Sequence, residues 1–198
     1  TLDVRDSNNV SETTISLCDE SVDSGNNTDW TMSDRSVSGW VLASDRATPI
    51  ANQTVRLAVN GVDDGTTAES DADGVYSLTP STPFSDGDVL TLYLEDETAD
   101  GVTVTVADTD TASCTILRMD IYQDHLITRQ DNAGALTNAN LDTAEVTSED
   151  DISNIYSVAN GELTVVNAKT LFVPASHTLT PGGPVSVGTS TSASPMVM

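Results

Sequence analysis

Lysine is almost missing from this chain: Lys169 is the only one, and Lys and Arg together number 7 against 31 Asp and Glu. The formal net charge is −24 and the pI is near 4.1. A field of that sign repels phosphate backbones, which excludes nucleic acid as a natural partner and disfavours anionic membrane surfaces. Aromatic residues make up 4% of the chain. That scarcity argues against paired carboxylates working in a sugar cleft, which needs stacking platforms. Histidine occurs twice, as His125 and His177, with no His-x-x-x-His or Cys spacing near either, so both read as structural. No Gly-x-Ser-x-Gly elbow is present, and in a chain full of Ser and Asp other triad-like matches carry no weight. The sequence contains no signal peptide, lipidation motif or long hydrophobic span, so membrane insertion is not expected. It starts at Thr1 rather than Met, which reads as a processed product or an excised segment.

What the chain does have is Thr, Ser, Asp, Asn and Val. Thr and Val favour strands because a branched Cβ packs well on a pleated face, while Asp, Asn and Gly supply turns. Hydrophobic residues still reach 37% and alternate cleanly, so the reading is a folded all-β protein under an acidic solvated surface rather than a disordered one. Such composition is common in secreted surface proteins and suits salty water.

The organisation is clearest from residue 36 to about 108. Short apolar runs (Ser36-Val-Ser-Gly-Trp-Val-Leu, Thr54-Val-Arg-Leu-Ala-Val, Val75-Tyr-Ser-Leu, Val89-Leu-Thr-Leu-Tyr-Leu, Val102-Thr-Val-Thr-Val) are separated by turn signals. These signals are Asn60-Gly61, Asp64-Gly65, Asp73-Gly74, Asp86-Gly87 and Asp100-Gly101, the dipeptides that suit hairpins needing positive φ. The spacing predicts a β-sandwich over 35–110, with Trp40, Val55, Leu57, Val59, Tyr76, Leu78, Leu90 and Leu92 buried. Residues 1–34 form an N-terminal arm of two strand-like runs, too little for a core. The arm must pair with the sandwich, with a later segment or with another chain. Residues 111–127 read as one long strand or two joined by a bulge. Any helical turns are expected between Asn132 and Tyr156, with Asp150 or Asp151 capping the second. Strands then return at about ten-residue spacing, which suits stacked rungs or a meander, so 111–188 reads as a second small β-rich module. Residues 189–198 are a Ser/Thr-rich tail ending in Pro195-Met-Val-Met.

Residues 36 to about 108 resemble the carboxypeptidase-regulatory-like and related bacterial Ig-like modules of cell-surface proteins. The carrying residues are Val37-Ser-Gly-Trp-Val, Pro49-Ile-Ala-Asn-Gln-Thr-Val and Ser70-Asp-Ala-Asp-Gly-Val-Tyr-Ser-Leu. The following part is similar to a companion segment of very large bacterial surface proteins built from strand repeats. Its markers are Tyr122-Gln-Asp-His-Leu-Ile-Thr-Arg, Leu136-Thr-Asn-Ala-Asn-Leu-Asp-Thr-Ala and Leu171-Phe-Val-Pro-Ala-Ser-His. The resemblance implies an Ig-like sandwich, an extracellular location and a spacer, adhesive or filament-forming role. It carries over no site residues.

Several residues merit a chemical reading. Asp71-Ala-Asp73-Gly opens like a calcium loop, but the glutamate an EF-hand needs does not follow, so a hairpin turn competes with a Ca²⁺ site at Asp71 and Asp73. Oxygen donors also cluster at Glu95-Asp-Glu with Asp100, at Asp108 with Asp110, and at Glu149-Asp-Asp. Cys18 and Cys114 lie on strand-like runs flanking the sandwich. Outside the cell they are expected to pair, closing a loop of roughly 100 residues worth about 4–5 kcal/mol; two buried free thiols are the alternative. Sequons at Asn9, Asn26 and Asn52 permit glycosylation.

No catalytic constellation emerges. The expected protein is an extracellular structural subunit of a surface filament or sheath, whose partners are copies of itself joined by strand addition. An adhesin or carbohydrate-binding fragment of a giant surface protein, with glycans as ligands, is the alternative, and a glycan lyase or hydrolase comes third.

Overall fold

The chain is seen in a computed structural model that describes residues 3–8, 10, 15–18, 22–28, 30–33, 35–95, 98–108, 115–132, 134–146 and 150–188. The sequon residue Asn9, the acidic residues Asp96, Glu97, Asp110 and Glu149, Cys114 and the tail 189–198 lie outside the described residues, and of Cys18 only the backbone is described. The fold is all-β, with 42% strand and 7% helix.

The arm holds β1 (Asp3–Val4), β2 (Ile15–Cys18), β3 (Val22–Asp23) and β4 (Trp30–Ser33); β1 pairs with β3 and β2 with β4, both in parallel. Six strands follow: β5 (Ser36–Leu42), β6 (Thr54–Val59), β7 (Val62–Glu69), β8 (Val75–Leu78), β9 (Val89–Leu94) and β10 (Val102–Val106). Next come β11 (Thr115–Ile116), β12 (Ile121–Tyr122) and β13 (His125–Thr128), then the helices α1 (Asn138–Ala144) and α2 (Asp150–Ser153). The described chain closes with β14 (Tyr156–Ala159), β15 (Glu162–Val165), β16 (Thr170–Phe172) and β17 (Val185–Val187).

A central sheet in the order β16-β13-β10-β9-β6-β7 is the spine of the molecule. One face packs on a smaller sheet in which β5 pairs with β8 on one side and with β11 and β12 on the other, enclosing Val37, Val41, Leu57, Tyr76, Leu90, Leu92 and Ile121. The other face is covered by α1, α2 and the β14–β15 hairpin, which bring Leu141, Ile152, Tyr156 and Leu163 onto Val89, Tyr93, Val102 and Val104. Strand β9 shows the logic. Leu90, Leu92 and Leu94 point into the first core and Val89 and Tyr93 into the second, so all six of its residues are buried.

The break at residue 110 is therefore not a boundary between sheets. Strands β11 and β12 complete the small sheet and β13 and β16 extend the large one, all four in parallel pairings. Against the four steps from Val37 to Val41 on β5, the partner takes five from Ile116 to Ile121, with Arg118 at φ 60 as the extra residue. The chain then changes sheets at Asp124, whose φ is 62. This bulge brings Met119 so close to β5 that a Cβ on Gly39 would lie 2.5 Å from the Met119 carbonyl oxygen.

Some expectations are corrected. Trp40 is 37% exposed and Val59 only partly buried. In β5 the odd-numbered residues face the core, so the apolar pair Trp40 and Leu42 falls on the outer side. Asp64-Gly65 is no hairpin turn. It lies within β7, where the register against β6 shifts between Arg56 and Ala58. Asn60-Gly61 does make the β6–β7 turn, with φ of 51 and 74 as a type I′ turn requires. Both helices fall in the expected window, but Asp150 and Asp151 are inside α2 rather than capping it. Helix α1 is capped by Thr137, whose Oγ1 accepts from Asn140 N at 3.2 Å while Asn140 Oδ1 accepts from Thr137 N at 2.9 Å.

The Gly39 contact makes a discriminating prediction. Gly39→Ala should lower stability by about 1–3 kcal/mol because the backbone facing it must move. Gly134→Ala, whose added Cβ meets nothing closer than Asn132 Oδ1 at 3.8 Å, should stay within about 0.5 kcal/mol. Urea unfolding of the two variants measures the contrast.

Candidate functional site

The acidic turn is used internally. Asp71 Oδ1 accepts the N–H groups of Asp73 at 2.9 Å and Val75 at 2.8 Å, and Gly74 sits at φ +75 between β7 and β8. Asp73 is exposed and adds no donor to a shared point. Among the described residues no group of three or more His, Cys, Asp or Glu is placed to hold a metal ion. Of the other acidic candidates, Glu95 pairs with Arg56 and Asp100 with Lys169. Among the described residues no helix is long and apolar enough to cross a membrane.

Two features were not anticipated. The first is a basic, aromatic corner where β5, β12, β13 and β16 meet. It gathers Arg46, Arg118, Arg129 and Lys169 in a chain with 7 cationic residues. The Arg118 guanidinium lies 5.6 Å from the Trp40 ring centroid and that of Arg46 lies 4.8 Å from Phe172. Tyr122 packs against Phe172 at 5.6 Å and edge-on against His125 at 5.8 Å.

Most of this corner serves the fold. The carbonyls exposed by the bulge are satisfied by side chains: Arg129 Nη1 donates to Leu117 O at 3.1 Å and to Arg118 O, Tyr76 donates to Met119 O, and Thr103 donates to Asp120 O at 2.5 Å. Burial raises the Asp120 carboxyl above its usual value, against the pull of Trp40 N–H, Arg118 and Arg129. Burial likewise depresses the His125 imidazole, although Nδ1 has Gln123 O at 2.7 Å. His177 Nδ1 accepts from Gln130 N at 3.0 Å and pins the loop after β16. Lys169 Nζ is shared by Asp100 Oδ2 at 2.8 Å and Asp124 Oδ1 at 2.6 Å. Burial alone would lower this ammonium, but the two hydrogen bonds outweigh it and hold the pKa above the usual lysine value.

The second feature is the set of sheet edges. The outer edge of β7 carries Asp63, Asp64 and Glu69 on a strand with a register shift, two devices that discourage pairing. Edge β14 is covered where Val158 N donates to Glu145 Oε1. Strand β17 has neither device, and Val185 and Val187 are 36% and 38% exposed. It is held against β15 by Asn138, a buried amide at the start of α1 that donates to Gly161 O at 2.8 Å and Pro184 O at 3.0 Å. Sequence reading passed over both. The available signals were a polar residue leading an otherwise apolar helix face, and a stretch, 170–198, without a single Asp, Glu, Lys or Arg.

Two measurements test the corner. With a folded-state pKa below the unfolded one, His125 stabilises the protein fully above about pH 6.5 and the contribution is lost as pH falls. The melting temperature should therefore drop more steeply below pH 6.5 in the native chain than in His125→Leu. Lys169 has the opposite sign: its contribution is complete below about 10.5 and lost as pH rises through the higher folded value. Lys169→Met should cost about 1–3 kcal/mol at neutral pH. Its alkaline limb should be shallower but not flat, because burial also raises Tyr76 and Tyr156, and chemical unfolding across pH 9–12 reads the difference.

Set against known proteins, the chain matches no family model and no curated sequence.

Proposed function

We propose that this chain is an extracellular structural protein, the repeating subunit of a filament or sheath, joined to its neighbours by β-strand addition. One observation carries the reading. Among the described residues the arm strands β1 to β4 form ladders only with one another, and neither of their two-stranded sheets pairs with the central or the small sheet. The arm side chains that are described are largely exposed, Val10 at 89% among them. A strand pair detached from any core is marginal alone and gains most by joining another sheet. The resemblance of residues 36–108 to surface-protein modules supports the same location. In this reading the polar groups of the corner hold the framework, and the protein has no catalytic activity.

The aromatic corner favours a second reading, an adhesin that binds glycans across Trp40 and Tyr122. Electron micrographs separate the two, since filaments favour the first and dispersed particles that bind a glycan array favour the second.

Copies carrying −24 repel each other, so assembly should strengthen with ionic strength. Between about 0.01 and 1 M salt, where the screening length falls from about 30 to 3 Å, the sedimenting fraction should rise. Ca²⁺ should act at lower concentration than Na⁺. Dispersed monomers at every salt and Ca²⁺ concentration would overturn the proposal.

A further inference from the structure

We infer that the outer edge of β17 is the acceptor site for a second copy, and that the incoming strand is that copy's Ile15–Cys18 segment. The inference rests on the assembly reading above and names the surface it uses.

The hydrogen-bond pattern sets the direction of the edge. Leu163 N donates to Pro184 O and Gly188 N donates to Val165 O, each at 3.0 Å, in the parallel register Leu163↔Val185 to Val165↔Val187. Even-numbered residues of this strand therefore face β15. Val185 and Val187 turn their N–H and C=O groups away from the sheet. Among the described residues no strand occupies that side, because the order β14-β15-β17 ends there. The two valine side chains are partly exposed and continue the apolar character of the edge. Asn138 and the close approach of Gly183 to the Gly161 carbonyl, 2.4 Å from where a Cβ would lie, fix the strand before any partner arrives.

Charge selects the occupant. Strand β17 carries no charged residue, and the Glu162 carboxylate beside it is held by the Ser186 hydroxyl, so another strongly acidic copy meets fewer like charges here than along the Asp- and Glu-bearing edge of β7. The incoming strand must be uncharged too. Ile15-Ser-Leu-Cys18 fits, since it carries no charge between Glu12 and Asp19, and among the described residues β2 is laddered on one side only, to β4. Arm-to-β17 contact is heterologous, so it repeats head to tail and extends into an open polymer wherever the rotation does not close a ring, whereas β17 pairing with its own copy would close a dimer.

The test uses the full chain. Val187→Pro removes an outward N–H and places a ring on the edge while leaving Pro184 O, Ser186 and Gly188 N in the ladder to β15. It should fold normally by circular dichroism and raise the concentration needed for assembly by about tenfold or more. Val187→Lys should do the same by adding a charge, which keeps the test intact if the proline variant misfolds. A photoreactive residue at 187 should cross-link to a peptide containing residues 15–18 of another copy. Unchanged assembly of folded variants, or cross-links to residues 185–187 of another copy or to residues 189–198 of the same chain, would overturn the acceptor assignment and leave the filament reading standing. Failure of the native chain to assemble at all would overturn both.

Discussion

Burial of one strand on both faces is the constraint from which the architecture follows. Strand β9 places Leu90, Leu92 and Leu94 in one core and Val89 and Tyr93 in another. A strand of that composition cannot lie on the surface of a two-layer sandwich without leaving one row of large side chains in water. The small sheet covers the leucines. The helices and the β14–β15 hairpin must cover the rest, and Thr91 Oγ1 donating to Ala144 O at 2.9 Å ties that cover to the strand. The helices and the β14–β15 hairpin are thus a third layer on the same central sheet.

Electrostatics follows from this arrangement. With so few cations available, three are committed to holding backbone or neighbouring carboxylates in place: Arg129 on the bulge and Asp131, Arg56 between Asp63 and Glu95, Lys169 between Asp100 and Asp124. The remaining carboxylates crowd the surface. Several neutralise backbone donors locally, as Asp45 does by accepting from the Thr48 hydroxyl and the N–H groups of Thr48 and Ala47, which takes its pKa down to about 2. The acidic exterior and the cation-held interior are two sides of one composition.

How much of this was readable depends on what local pattern encodes. The strands from 36 to 106, the hairpin at Asn60-Gly61, the turn at Asp73-Gly74 that carries the chain from the central to the small sheet, and the helical window all follow from periodicity and turn chemistry, because both act within a few residues. The side of β5 that faces inward was not readable: Val37 and Val41 compete with Trp40 and Leu42, and only Gly39 against Met119 decides between them. Asp64-Gly65 misled because the same dipeptide serves a hairpin and a bulge. Parallel pairing left no local trace, since periodicity records which face is buried and says nothing about the neighbour. The alternation of Val89 and Tyr93 with Leu90 and Leu92 did announce a doubly covered strand, and it pointed past the two-layer reading. The β17 edge was legible only as a gap in charge, a feature visible along the whole chain and invisible in any short window.

The parallel pairing of β5 with β11 and β12 also orders events in time. Its register couples Ser36 with Thr115 and Val41 with Ile121, so one side of β5 has no native partner until the chain has been made and delivered well past residue 122. Closing loops of that length is slow, and β8 on the other side cannot substitute for the missing ladder. During that interval the strand most in need of a neighbour is also an open template for the wrong one. Any attempt to fold before residues 115–122 are available leaves the smaller sheet half built, so the order in which the chain is completed sets the order in which its layers can close.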